Sequence, residues 1–263
     1  MGNARSCTYL RHCEDRSVYV IKTAPGRLRS RSRSAYKFAT RSKREATPEI
    51  LVQGTRWKLK LPWFLSILFA VGAVLGPALD GIHGTVHLLT YDSGQFDMAG
   101  VQSSGWVSLL LGTFYAVIGA LHILGDHWQD TEASQTGQNV YCKQTVPYVM
   151  ASIGTVALLL YTSAILYANN IHYTQIGLLL LVLASINFKL FEDTKQGLAL
   201  AVLCACAAPA SELIIMNVFG LWHYPHPNVF QEFGRGLPGW VSACYFFYTP
   251  AVGNTARLIW KRI

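Results

Sequence analysis

Residues Trp106 to Asp126 read WVSLLLGTFYAVIGALHILGD, and this stretch decides the fold. The residues before Asp126 include no Asp, Glu, Lys or Arg. At 1.5 Å per residue a helix of this length covers the roughly 30 Å hydrocarbon layer of a bilayer. Within it, Gly112, Ala116 and Ala120 recur four apart and so share one helix face, with Gly119 beside them. Small side chains in that register let a second helix come close in lipid, where packing drives association. Gly72 and Gly76 repeat the device in the apolar run before it.

Working outward, five further runs have the same character, so the expected spans are about 62–80, 106–125, 145–168, 171–190, 198–220 and 237–259. The fold class that follows is all-α, a polytopic membrane bundle of six transmembrane helices. Connections are short, which favours one compact domain over 61–263 behind a basic segment over 1–60. The chain of 263 residues is 51% hydrophobic and only 14% charged. Its mean hydropathy of +0.27 excludes an ordinary water-soluble domain and a disordered or collagenous chain.

Charge gives the orientation. The net charge of +8 is unevenly spread: 15 of the 22 Lys and Arg lie in residues 1–60. With six spans both termini share a side, which then holds every Lys and Arg except Arg235. Cytosolic segments retain such residues, so both termini are expected in the cytosol. The acid-free tract Arg27–Arg44 cannot bury a core and is expected to be disordered. It reads as a positive-inside determinant lying on anionic headgroups. An organellar transit peptide has the same Arg/Ser-rich character. Met1-Gly2-Asn3-Ala4-Arg5-Ser6 also fits a myristoylation pattern, with Cys7 placed for a second acyl chain. The six cysteines form no Cys-x-x-Cys pair, so neither a disulfide framework nor a zinc knuckle is expected.

Two side-chain groups invite chemistry. His83 and His87 beside Asp80 have ligand-like spacing, and His122, Asp126 and His127 form a second group. The topology puts a bilayer between the two groups, so no metal site is expected. His172, His223 and His226 share the translocated side with His83 and His87, which leaves a membrane enzyme acting on a lipid or isoprenoid as the alternative reading. Glu212 is the one carboxylate well inside an expected span, where a charge needs a partner or a function. It follows Pro209, whose missing amide frees a carbonyl, and Asn217 and Asn254 are candidate hydrogen-bonding neighbours. No nucleophile elbow, phosphate loop or dinucleotide fingerprint occurs, so no catalytic residue and no cofactor is expected.

Three segments together resemble the insulin-induced gene (Insig) family of six-span membrane proteins. Trp106-Val107, Gly112-Thr113, Ala116-Val117-Ile118-Gly119, Leu121 and the closing Asp126 follow its second span. Phe191-Glu192-Asp193-Thr194-Lys195-Gln196-Gly197-Leu198 is similar to its Phe-Asp-Arg-Ser-Arg-Ser-Gly-Leu loop. Trp240 through Val252-Gly253-Asn254-Thr255-Ala256-Arg257 resembles its last span. The likeness runs over about residues 60–260. It departs at the third span, where the family's His, Lys and Asp are missing, and at Glu212, where the family has Gln. The resemblance implies a non-enzymatic regulator of sterol or isoprenoid metabolism in the endoplasmic reticulum membrane. It implies binding of a sterol or isoprenoid-type lipid and of polytopic partners: the escort of the sterol-regulated transcription factor and the sterol-synthesising reductase. A plastid membrane is the alternative location, and no nucleic acid is expected as a partner. The implied partner-binding residues are Glu192, Asp193 and Gly197. Those implied for helix packing and lipid binding are Gly112, Ala116, Gly119, Ala120, Glu212, Asn217, Gly253 and Asn254.

Overall fold

The computed structural model describes residues 48–98, 100–133 and 144–263. The expectations for the Arg27–Arg44 tract and for acylation at Gly2 and Cys7 lie outside them. The helical bundle lies in the compact unit Gly54–Ile263. The elements are α1 (Pro48–Gly84), β1 (Thr90–Tyr91), β2 (Gln95–Met98), β3 (Val101–Ser104), α2 (Gly105–Ala133), α3 (Val146–Ala168), α4 (Tyr173–Phe191), α5 (Lys195–Phe219), β4 (Trp222–His223) and α6 (Val241–Arg262). The all-α membrane bundle expected from the sequence is the fold observed.

Among the described residues five helical stretches are long and apolar enough to cross a membrane: Leu59–Gly84, Gly105–Trp128, Val146–Ala168, Tyr173–Phe191 and Lys195–Phe219. Their outward faces carry large apolar side chains such as Leu178, Val182, Leu203 and Val218, each half or more exposed. Such a surface suits lipid, not water, and the chain is an integral membrane protein. The sixth helix differs. α6 packs against α2, α3, α4 and α5, and every residue from Phe247 to Arg257 is buried. A helix wrapped by its neighbours meets protein instead of lipid, so it tolerates Thr249, Asn254, Thr255 and Arg257 where a peripheral span could not.

Local chemistry explains the short turns. The Thr145 hydroxyl caps α3 by accepting from the Tyr148 amide, with Pro147 in the first turn where no amide is needed. Between α4 and α5 the chain reverses in Glu192, Asp193 and Thr194, with Asp193 at φ +53° and Thr194 capping the Gly197 amide at 3.0 Å. Gly220 ends α5 at φ +62°, returning its amide to the Met216 carbonyl. β1 pairs with β4 (Thr90 with His223, Tyr91 with Trp222), and β2 with β3. The connections 85–104 and 220–240 therefore sit together at one end of the bundle. The ends of α2 and α6 and the α4–α5 turn meet at the other.

Glycines set the closest helix approach. A Cβ on Gly72 would lie 2.6 Å from the Leu111 carbonyl oxygen and 2.7 Å from Tyr115 Cβ. Gly112 abuts Phe69 across the same seam, and Gly119 abuts Leu68 and Ala256. Ala116 and Ala120 pack beside the cluster of Phe64, Leu68, Ile123 and Ala256. Gly154, on the outer face of α3, has nothing within 4 Å. Gly72→Ala is expected to cost about 1–3 kcal/mol by overpacking. Gly154→Ala is expected to be neutral or to stabilise by up to about 1 kcal/mol through helix propensity. Denaturant unfolding of the two purified variants checks the contrast.

Candidate functional site

The first site is the end where α2, α4, α5 and α6 meet. Arg257 lies one turn from the end of α6 with its side chain only 1% exposed. It donates Nε to Asp126 Oδ2 at 2.7 Å and Nη2 to Asp126 Oδ1 at 2.9 Å. The same guanidinium donates Nη1 to Glu192 Oε2 at 2.6 Å and Nη2 to Glu192 Oε1 at 2.9 Å. Both carboxylates are held in the two-pronged manner that suits a planar fork. Gln196 donates to Asp126, and the Thr194 hydroxyl donates to Glu192 at 2.5 Å. Burial pushes the Glu192 carboxyl up, but the charge and hydrogen bonds of Arg257 outweigh it and hold the group below its ordinary value.

Each expected site residue can now be placed. Glu192 was expected to face a partner; its carboxylate is instead turned inward to Arg257 and fully enclosed. A Cβ on Gly197 would lie 2.3 Å from Glu192 Cγ and Oε1, so Gly197 is what lets that carboxylate fold inward. Asp193 points outward and meets Lys189 at 2.5 Å in an exposed pair. Asn254 donates to the Phe191 carbonyl at 2.9 Å and accepts from Gln144 at 3.0 Å. Gly253 lies flat on the His122 ring, whose atoms would sit 2.7–2.9 Å from an added Cβ.

Glu212 belongs to a second site nearer the strand end. Its Oε2 accepts from the Tyr224 hydroxyl at 3.1 Å, and its Oε1 from Tyr245 at 2.5 Å. Asn254 and Asn217, expected as its neighbours, are not. Asn254 is at the opposite end of α6. Asn217 is five residues on, about 140° round the helix, where it accepts from the Arg235 amide at 2.7 Å. Glu212 lines a half-open cavity of about 140 Å³ between α1, α2, α5, α6 and the strand end. Its walls are Val107, Leu110, Leu111, Phe114 and Ile215, and its polar end carries Asp80, Tyr91, Glu212, Tyr224 and Tyr245. Asp80 was expected just beyond the first span. Because α1 continues to Gly84, it stands inside the helix and accepts from the Tyr91 hydroxyl.

The histidines do not gather. His83 bonds Ser163 Oγ at 2.8 Å, and His223 bonds Asp92 at 2.9 Å. Among the described residues no cluster of three or more His, Cys, Asp or Glu could hold a metal ion. Sequence reasoning missed Arg257 as a buried group, treating it as part of the basic tail, and missed the tyrosines. The legible signal was that Asp126 and Arg257, of opposite sign, close apolar helices at the same end.

No family model matches the chain. Insulin-induced gene 1 protein of Danio rerio is 26% identical over 193 residues, spanning 73% of this chain and 70% of that protein. The crystal structure of MvINS, an Insig homolog of Mycobacterium vanbaalenii, matches with a TM-score of 0.59 at 19% identity, over 76% of this chain and 95% of that one. A cross-linked trimer of the same protein matches equally. The resemblance to the Insig family is borne out: the membrane chain is similar to an Insig protein in sequence and to an Insig homolog in fold.

Arg257→Met is expected to cost about 3–5 kcal/mol, because it leaves two enclosed carboxylates without a cation. Adding Asp126→Asn and Glu192→Gln is expected to restore much of the loss, read as thermal unfolding in detergent. Since the Glu192 value is lowered in the folded state, its stabilisation is complete above the ordinary 4.5 and is lost only as pH falls through that lowered value. The stability of Glu192→Gln should therefore fall less steeply with acid than that of the wild type. Equal slopes would remove Glu192 from the ion pair.

Proposed function

We propose that this protein is an Insig-like regulatory subunit that binds a sterol or related lipid and reports it to a polytopic partner in the control of sterol or isoprenoid metabolism. Its role is non-enzymatic and its place is the endoplasmic reticulum membrane, with residues 1–60 as a basic segment ahead of the membrane domain. The observation that carries this reading is the cavity. Its construction, long apolar walls closing on a few fixed polar groups, suits a rigid lipid with one polar end.

The route from lipid to partner runs along two helices. α5 carries Glu212 and Ile215 at the cavity and Gly197 at the turn; α6 carries Tyr245 at the cavity and Arg257 at the lock. Tyr245 and Arg257 are twelve residues apart, about 18 Å along the axis. A ligand that shifts α5 against α6 therefore acts on the geometry of the 192–194 turn. Glu192 sets that geometry from inside, while Asp193 and Lys189 present the outward charges. The partner engages this corner with a basic or hydrogen-bonding group, and a charge-assisted bond there contributes roughly 1.5–3 kcal/mol.

A photoreactive sterol should label the purified protein saturably, on peptides of α2 or α5. Affinity capture from native membranes should recover a polytopic protein with the wild type. Recovery should be several-fold lower with Asp193→Ala, which leaves the lock intact, and lower still with Glu192→Ala at equal expression. Absence of saturable labelling by sterol and isoprenoid probes would remove the lipid reading. Unchanged capture by both variants would remove the corner.

A further inference from the structure

The cavity has an inner chamber in which Asp80, Glu212 and Tyr248 meet. The Glu212 oxygens are each met by a tyrosine hydroxyl, and Asp80 by one, so neither acid has a cationic partner among the described residues. Among the described residues no Lys or Arg lines the inner or the outer chamber. The basic side chain present is His83, whose ring is engaged with Ser163. The hydroxyl of Tyr248, a residue only 8% exposed, has the enclosed hydroxyl of Tyr115 as its neighbour and no partner within ordinary hydrogen-bond distance among the described residues. An enclosed polar group without a partner is costly, and so are two carboxylates facing one apolar chamber.

All three features have one chemical complement. A primary ammonium carries three N–H donors and a positive charge. It matches two carboxylates and one free hydroxyl oxygen, and Tyr224 and Tyr245 add aromatic faces of the kind that attract cations. The outer chamber, walled by Leu110, Leu111, Phe114 and Ile215, then takes an apolar chain or ring system. A bare metal ion is a poorer match, since the described residues provide no cluster of three His, Cys, Asp or Glu. A neutral alcohol would bring the two acids no positive charge. We propose that the cavity binds an amphiphile whose polar end is a protonated primary amine, held between Asp80 and Glu212 with its third donor on Tyr248. The proposal rests on the reading of this cavity as a lipid site and names the ligand's polar end.

The test uses the full-length chain in phosphatidylcholine nanodiscs at neutral pH, where an alkylamine is protonated. The probe is hexadecylamine with a photoreactive diazirine in its chain. Labelling should be saturable and fall on α2 or α5. Unlabelled hexadecylamine should compete at least ten-fold better than hexadecanol, which has no charge, and than hexadecyltrimethylammonium, which has charge but no donors. Asp80→Asn combined with Glu212→Gln should lose at least ten-fold. Tyr248→Phe should lose several-fold while the thermal transition stays near that of the wild type; if the double variant does not fold, Tyr248→Phe and the three competitors decide alone. Equal competition by hexadecanol overturns the charge argument, and equal competition by the quaternary amine overturns the donor argument. A photoreactive cholesterol analogue run in parallel separates the two readings. Saturable sterol labelling without amine labelling ends this proposal and leaves the lipid site standing, whereas absence of both ends both.

Discussion

One enclosed guanidinium organises the bundle. Arg257 is held by Asp126 from the end of α2 and by Glu192 from the α4–α5 turn, so a single side chain ties three parts of the chain that are remote in sequence. Its cost in solvation is high, and the structure meets that cost with geometry. All of its charged contacts fall within 2.6–2.9 Å, and the carboxylates take further donors from Gln196 and Thr194. The empty side-chain positions around it follow. Gly197 makes room for the Glu192 carboxylate, Gly119 admits Ala256 of α6, and Gly253 lies on His122. Each lets α6 sit deep enough for Arg257 to reach both acids.

That depth also explains what could be read from the sequence and what could not. Periodicity plays no part in finding the first five spans. Apolar length is enough, because their outer faces meet lipid, and Trp106–Asp126 announces itself on that ground. The caps at Thr145 and Thr194 and the stop at Gly220 are local chemistry and equally legible. α6 is different: in the sequence 237–259 reads as one more apolar run, whereas the helix is too polar for a lipid-facing span. Its centrality is a tertiary fact. A helix surrounded by four others is released from the demand that every residue be apolar, and this is where polar residues can be spent on specificity.

The site residues divide in the same way. Gly112, Gly119 and Gly197 were legible because glycine in an apolar helix or beside a cap says that something comes close. What comes close was not: Glu192 at Gly197, and Leu68 with Ala256 at Gly119. Glu212 was legible as a buried acid, yet its partners Tyr224 and Tyr245 come from a connection and from another helix, and a tyrosine carries no signal of its own in a chain with 13 of them. Asp80 was misplaced by a few residues. An aspartate at a helix exit and one inside a helix look alike until the helix end at Gly84 is known.

The two ends of the bundle are electrostatic opposites in one respect that bears on mechanism. At the Arg257 end, two acids share one cation and every charged group is hydrogen-bonded, so that end behaves as a rigid joint. At the cavity end, Asp80 and Glu212 face a common space with tyrosine hydroxyls as their donors and no cation from the described residues. A matched cluster resists rearrangement, because moving any member strands the others; an unmatched one is stabilised by whatever enters. α5 and α6 each run from one end to the other, with Pro209 and Pro250 inside them, so on the proposed reading a change at the compliant end reaches the stiff one as motion of these helices. The turn at residues 192–194, pinned from inside by Glu192 and outward-facing at Asp193, is the place where that motion reaches the surface.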